Sequence, residues 1–224
     1  MTSDAGARRR TLDTMKRLGP TTIGEIAKHL GITHEAARQQ VNQLEADGLI
    51  DGSAEPTGSG GGRPARRFRL TRGGEHAFPK RYGDLAGMLL DVVGSRLGPA
   101  AVRHVIAAAV DAKVAAWNPV LSGRRSLRAR LNALRSIYVE DDPWVEVTEE
   151  NGRATLIERN CPYFDVAHER PELCSMTVHT LSRLLGRRVE RVRRFQNGHG
   201  MCAFMVRDEP VAADAPLRLE SDPG

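Results

Sequence analysis

The stretch "TTIGEIAKHLGITHEAARQQVNQLEADGLI", residues 21–50, holds two helical patterns on either side of one glycine. Ile23, Ile26, Ala27 and Leu30 recur at the spacing of a single helix face, Gly31 interrupts the run, and Ala37, Val41 and Leu44 resume it. Thr33 stands where an N-cap belongs, since its hydroxyl can accept one of the N–H groups that a first helical turn leaves without a partner. The second helix then carries His34, Glu35, Arg38, Gln39 and Asn42 outward while its aliphatic positions face in. The pattern predicts helix, tight turn, helix, with side chains able to read base edges gathered at the start of the second helix.

Working outward, "TLDTMKRLG" places Leu12, Met15 and Leu18 at helical spacing and ends on Gly19, with Pro20 as a breaker. On the other side, Leu49-Ile50 begins a strand, residues 55–65 ("EPTGSGGGRPA") make a glycine-rich loop, and "RRFRLT" returns as a second strand with Phe68 and Leu70 on one face. Residues 63–72 hold five arginines and no acid. A helix-turn-helix followed by such a hairpin resembles, over residues 8–73, the winged-helix DNA-binding domain of ArsR, MarR and DeoR-like bacterial repressors. The resemblance implies that the second helix enters a major groove and the wing follows the phosphate backbone. It makes Thr33, His34, Arg38 and Gln39 candidate base or phosphate contacts, and Arg63, Arg66 and Arg67 candidate wing contacts. The net charge of +5 and a pI near 9.5 fit a polyanionic partner such as double-stranded operator DNA. A protein-interaction winged helix is the bland alternative, and the arginine run argues against it.

The expected fold class is α+β. It comprises a winged helix-turn-helix domain over residues 1–80, central helices over 81–122, a small α+β domain over 123–211 and a disordered polar tail over 212–224. Residues 82–117 are aliphatic on more faces than one helix can hide, with a break near Gly98-Pro99, so part of this surface is expected to meet a second copy in a homodimer. The alternative is packing against the C-terminal domain. Beyond residue 122 come a helical run, the alternating "WVEVTEE", a turn at Asn151-Gly152, the alternating "RATLIERN", the helical "PELCSMTVHTLSRLLG", and two further strands around the turn "NGHG". Four strands with helices on one side would make a single sheet. No run of apolar residues is long enough to cross a bilayer and no leader pattern opens the chain, so the expected location is cytoplasmic.

The chain has three cysteines, all in its last third: twelve residues separate Cys161 from Cys174, and twenty-seven separate Cys174 from Cys202. In a reducing compartment such a set points to metal, cluster or redox chemistry rather than to a disulfide framework; free cysteines buried as small hydrophobes are the plain alternative. The separations lack the paired spacing of a local zinc site, so folding must bring the thiols together. Cys174, near the start of a helix, stands where the dipole favours thiolate. Pro162 directly follows Cys161, a pairing found beside iron–sulfur ligands.

The stretch "NCPYFDVAHERPELC…TLSRLLGRRVERVRRFQNGHGMCAFMV" resembles the C-terminal half of the SufR family, winged-helix repressors of iron–sulfur cluster assembly operons, and the likeness runs from the helix-turn-helix to Cys202. The resemblance implies a [4Fe–4S] cluster held by Cys161, Cys174 and Cys202 in a homodimer that binds operator DNA when loaded and releases it on cluster loss. Arg188 stands where cyanobacterial members carry a further cysteine, so the chain follows the three-cysteine actinobacterial pattern and the fourth iron ligand is open. His199, His168 with Glu169, His179, water or a small thiol are the candidates. A zinc-binding or directly thiol-redox-sensing winged-helix regulator is the rival reading. No nucleotide loop, substrate-pocket signature or paired acid and base points to an enzyme.

Overall fold

The computed structural model describes residues 2–54, 66–150 and 152–220. The chain divides into two compact units, Met1–Lys80 and Arg81–Gly224.

In the first unit α1 (Thr2–Leu18) ends at Gly19, whose φ of 73° is cheap only for glycine. Next come α2 (Ile23–Leu30) and α3 (His34–Ala46), joined through Gly31 in the left-handed region. Thr22 and Glu25 close a capping box on α2, a device that the apolar periodicity alone does not reveal. Thr33 caps α3 by accepting the Ala36 N–H at 3.2 Å. Strands β1 (Ile50–Ala54) and β2 (Arg66–Leu70) pair antiparallel, and Thr21 adds a third short rung against Phe68. The loop 55–65, with Arg63, lies outside the described residues. Leu12, Met15, Ile26, Ala37, Val41, Leu44, Ile50 and Phe68 form one buried cluster, so the helices and the wing share a core. A short helix absent from the sequence expectation, α4 (Arg72–His76), follows β2 behind the N-cap Thr71. Its Gly74 approaches the wing so closely that a Cβ there would lie 2.0 Å from the Leu49 carbonyl oxygen.

The second unit opens with α5 (Tyr82–Leu97) and α6 (Pro99–Leu121), broken at Gly98 where glycine and proline were expected to break it. Then come α7 (Leu127–Tyr138), capped by Ser126, and the hairpin β3 (Glu146–Glu150) and β4 (Arg153–Glu158). Asn151 of the expected turn lies outside the described residues; Gly152 beside it has a φ of 73°. The short α8 (Phe164–Glu169) leads through a 3-10 turn into α9 (Cys174–Leu185), which Gly186 terminates in the left-handed region. Strands β5 (Arg187–Arg193) and β6 (Cys202–Pro210) complete a four-stranded antiparallel sheet in the order β3-β4-β6-β5. Leu131, Leu134, Leu156, Leu181, Leu184, Val189, Phe204 and Val206 fill the layer between this sheet and the helices. No described helix is long and apolar enough to cross a membrane.

The segment after Val211 departs from the disordered tail that its composition suggested. Through Glu220 it is tied to the second unit: Val211 N–H donates to the Gly186 carbonyl at 3.1 Å, Arg183 to that of Ala213, and Glu220 N–H to Ser175 Oγ at 2.8 Å. A polar, proline-containing segment orders here because its backbone groups find partners along α9.

Two glycines separate packing from propensity. Gly74→Ala is expected to lower the unfolding midpoint of the first unit, since a backbone oxygen cannot yield as a side chain would. Gly6→Ala, in α1 with open space around it, should raise stability by up to about 1 kcal/mol. Denaturant titration of the two variants checks both signs.

Candidate functional site

Two places carry the residues singled out above, one in each unit. In the first, α3 presents His34, Arg38, Gln39 and Asn42 on its exposed side, while Ala37, Val41 and Leu44 are buried. Thr33 uses its hydroxyl for the cap. Arg38 is paired with Glu35 one turn earlier through Nε and Nη2, both at 2.9 Å, which lowers the Glu35 carboxyl and raises the guanidinium. Gln39, next to it, is exposed.

The wing arginines do not stand apart from acids, although the run of sequence around them holds none. Arg66 Nη1 and Nη2 meet Glu45 of α3 at 3.2 and 2.5 Å, and its guanidinium lies 4.9 Å from the centre of the Phe68 ring. Arg67 Nη1 donates to the Pro20 carbonyl at 2.9 Å and stands 3.6 Å from Glu25. Arg69 pairs with Asp51 across the hairpin. Close packing at the base of the wing also explains Gly52, where a Cβ would lie 2.5 Å from Arg66 Nε. These pairs are solvent-exposed, so a phosphate can replace the carboxylates at small cost.

The second place is built on the inner face of the sheet. On β4 the buried side chains run Ala154, Leu156, Glu158; on β6 those of the same face run Val206, Phe204, Cys202. Leu156 pairs with Phe204 and Glu158 with Cys202, while Val189 and Arg191 of β5 oppose Val206 and Phe204. Directly opposed residues share a face, so the core turns from aliphatic to polar along its own length. At the polar end Cys161 sits three residues past the end of β4, Cys174 opens α9, and Cys202 opens β6. Cys174 and Cys202 are buried, Cys161 is partly buried, and all three are free thiols.

The electrostatics show that the three sulfurs share one neighbourhood. Burial pushes the Cys161 thiol up to about 12, with the Glu158, Cys202 and Cys174 charges adding to the effect. Burial also raises Cys202, against the opposing pull of Arg191. Glu158 is 3% exposed, and burial lifts its carboxyl to about 7 although Arg191 favours the ionised form. Arg191 Nη1 donates to Cys202 Sγ at 3.0 Å and Nη2 to the Cys174 carbonyl at 2.6 Å. Gln196 Nε2 reaches Cys174 Sγ at 3.4 Å, and its Oε1 is buried without a hydrogen-bond partner. An orphaned oxygen beside gathered thiols fits a site that takes a further group.

The histidines named as a fourth ligand are engaged in other ways. His179 is buried on α9 with Nε2 2.8 Å from the Ala215 carbonyl oxygen, and burial lowers its pKa. His168 stacks on Phe164 with ring centres 6.1 Å apart, and His199 Nδ1 accepts the Arg194 N–H at 3.0 Å. Arg191 and Glu158 were missed by the sequence reading. An arginine in an arginine-rich strand and a glutamate in an alternating one carry no local mark of being inside. Only the registers of β4 and β5 against β6, which face Glu158 with Cys202 and Arg191 with Phe204, identify them.

Among known proteins, the MarR family matches this chain over residues 6–59, within the first unit. No curated protein and no solved structure matches the chain. Residues 6–59 are thus similar to the MarR family, and the helix-turn-helix and paired strands of the first unit are a winged helix-turn-helix.

Wing and recognition helix should fail differently. Arg66→Ala or Arg67→Ala should weaken binding to every duplex and make the salt dependence of affinity shallower by about one unit for each phosphate no longer neutralised. Gln39→Ala should instead cost ~1–3 kcal/mol on the cognate operator and little on scrambled DNA. Affinities measured across salt on both duplexes separate the two patterns.

Proposed function

We propose that the protein is a homodimeric transcriptional regulator whose second unit senses its signal through an iron–sulfur cluster on Cys161, Cys174 and Cys202. The cluster would be of the [4Fe–4S] type, and the loaded protein would repress an operon for cluster assembly. What supports this reading is that three thiols from three separate elements lie near enough to influence one another's ionisation, with Arg191 joining Cys202 Sγ to the Cys174 carbonyl, in a chain whose residues 6–59 are similar to the MarR family. Thiolate is the donor that iron–sulfur clusters take. Among the described residues no three His, Cys, Asp or Glu side chains stand closely enough to hold a single metal ion.

Such a group supplies a redox-labile tie between its ligands. Each cysteine anchors a different junction: Cys161 the loop after β4, Cys174 the start of α9, Cys202 the start of β6. α9 packs along α6, and α6 meets α5 at Gly98, so a shift at the start of α9 is felt by the helices that continue the chain from the DNA-binding unit. On α5, Tyr82, Leu85, Met88, Leu89 and Val92 are all exposed, an aliphatic stripe suited to a second copy. Dimerisation there would space two recognition helices for two half-sites.

Anaerobically purified wild-type protein is expected to be brown and to contain iron and acid-labile sulfide. Cys161→Ser, Cys174→Ser and Cys202→Ser should each lose that content while the apo proteins stay folded and dimeric, because the aliphatic core does not depend on the thiols. A colourless wild type carrying zinc, or a variant with full iron and sulfide, counts against the assignment, the latter for that residue alone.

A further inference from the structure

Arg191 is placed unlike any other arginine among the described side chains of the sheet. It lies on the inner face of β5, its side chain is only 4% exposed, and its guanidinium stacks 4.7 Å from the centre of the Phe204 ring. All three of its nitrogens are used. Nη1 donates to Cys202 Sγ at 3.0 Å, Nη2 to the Cys174 carbonyl at 2.6 Å, and Nε faces both Glu220 carboxylate oxygens at 3.2 and 3.3 Å. A cation this deep is tolerated only when it is paired and hydrogen-bonded. The pairing acid comes from the far end of the chain. Glu220 is fixed in turn by Arg194 Nη2 at 2.8 Å and by Ser175 Oγ, which accepts its backbone N–H at 2.8 Å. The segment leading to it is held along α9 by Arg183 at Ala213 and by His179 at Ala215.

We infer that Arg191, clamped by Glu220 of the C-terminal segment, is a positioning residue that sets the electron affinity of the sulfur site through its hydrogen bond to Cys202 and its charge. The inference rests on the cluster reading above and deepens it. Hydrogen bonds to ligand sulfurs and nearby charge are among the levers that fix the potential of thiolate-bound clusters. A guanidinium donating to a ligand sulfur stabilises the state with one more electron, because that state carries the greater negative charge. The Glu220 carboxylate opposes this by compensating the guanidinium. The two residues therefore pull in opposite directions on one quantity, and a segment that sequence composition marks as idle becomes part of the sensor. The rigid three-point fork also accounts for arginine rather than lysine, whose single ammonium cannot reach Cys202, Cys174 and Glu220 together.

The test uses the full chain, reconstituted anaerobically with iron and sulfide, with the reduction potential read by equilibrium titration. Each step takes up one electron from the titrant and breaks no bond to the protein. Arg191→Gln is expected to shift the potential below wild type, Glu220→Gln to shift it above, and Arg191→Lys to fall between wild type and Arg191→Gln. Thermal unfolding of the apo proteins accompanies each measurement; if Arg191→Gln does not fold, Glu220→Gln and Arg191→Lys still carry opposite expected signs. Variants that hold a full cluster at the wild-type potential, or that move together in one direction, overturn the inference and leave the cluster reading standing. A wild type that takes up no cluster overturns both.

Discussion

Everything specific to the second unit depends on one cross-strand pairing, Glu158 opposite Cys202 on the inner face of β4 and β6. Two register steps further into the sheet, on the same face, the same two strands oppose Leu156 and Phe204, both almost fully buried. A sheet that met its helices with aliphatic residues along its full length would be more stable. Burying a carboxylate, a guanidinium and thiols at one end costs desolvation free energy that apolar side chains would not. The acid answers by shifting its pKa upward, and the guanidinium by filling its donors with a sulfur, a carbonyl and a carboxylate. Such an arrangement is the mark of a site that has a use for the cost.

The first unit manages charge in the opposite way. Its arginines stay at the surface in exposed pairs with Glu25, Glu45, Asp51 and Glu35. Exposed pairs contribute little to stability and are easily exchanged. That leaves these arginines able to exchange partners without loss of the fold. Glu45 and Glu25 lie on α3 and α2, so these contacts also run between the wing and the helices with which it shares a core.

How much of this was legible follows from the physics of each feature. Helix periodicity, the cap at Thr33, the stop at Gly19 and the break at Gly98-Pro99 are local, and each was readable from its own neighbours. So were the four strands and the place of Cys174 near the start of a helix. Helix α4 was missed because five residues carry too little periodicity to show one. The fate of residues 212–220 was misread because composition reports what a segment can bury, not what hydrogen bonds its neighbours offer. Arg191 and Glu158 were illegible for a related reason: alternation assigns residues to two faces but does not say which charged one goes inside. Only the register against β6, set jointly by β4 and β5, decides that.

The ordering of the C-terminal segment changes what the sulfur site is. With Glu220 in place, Arg191 is satisfied and Ser175 at the start of α9 has its hydroxyl occupied. Without it, a buried cation would face two thiol-bearing elements with only the desolvated Glu158 as an acid nearby, and the start of α9 would lose one of its ties. The helix that carries Cys174 also carries His179 and Arg183, the two residues that hold the segment at Ala215 and Ala213. Any rearrangement of α9 that follows from chemistry at Cys174 must therefore pull on the C-terminal segment as well as on α6. Cys174 and the segment up to Glu220 are thus held by one helix.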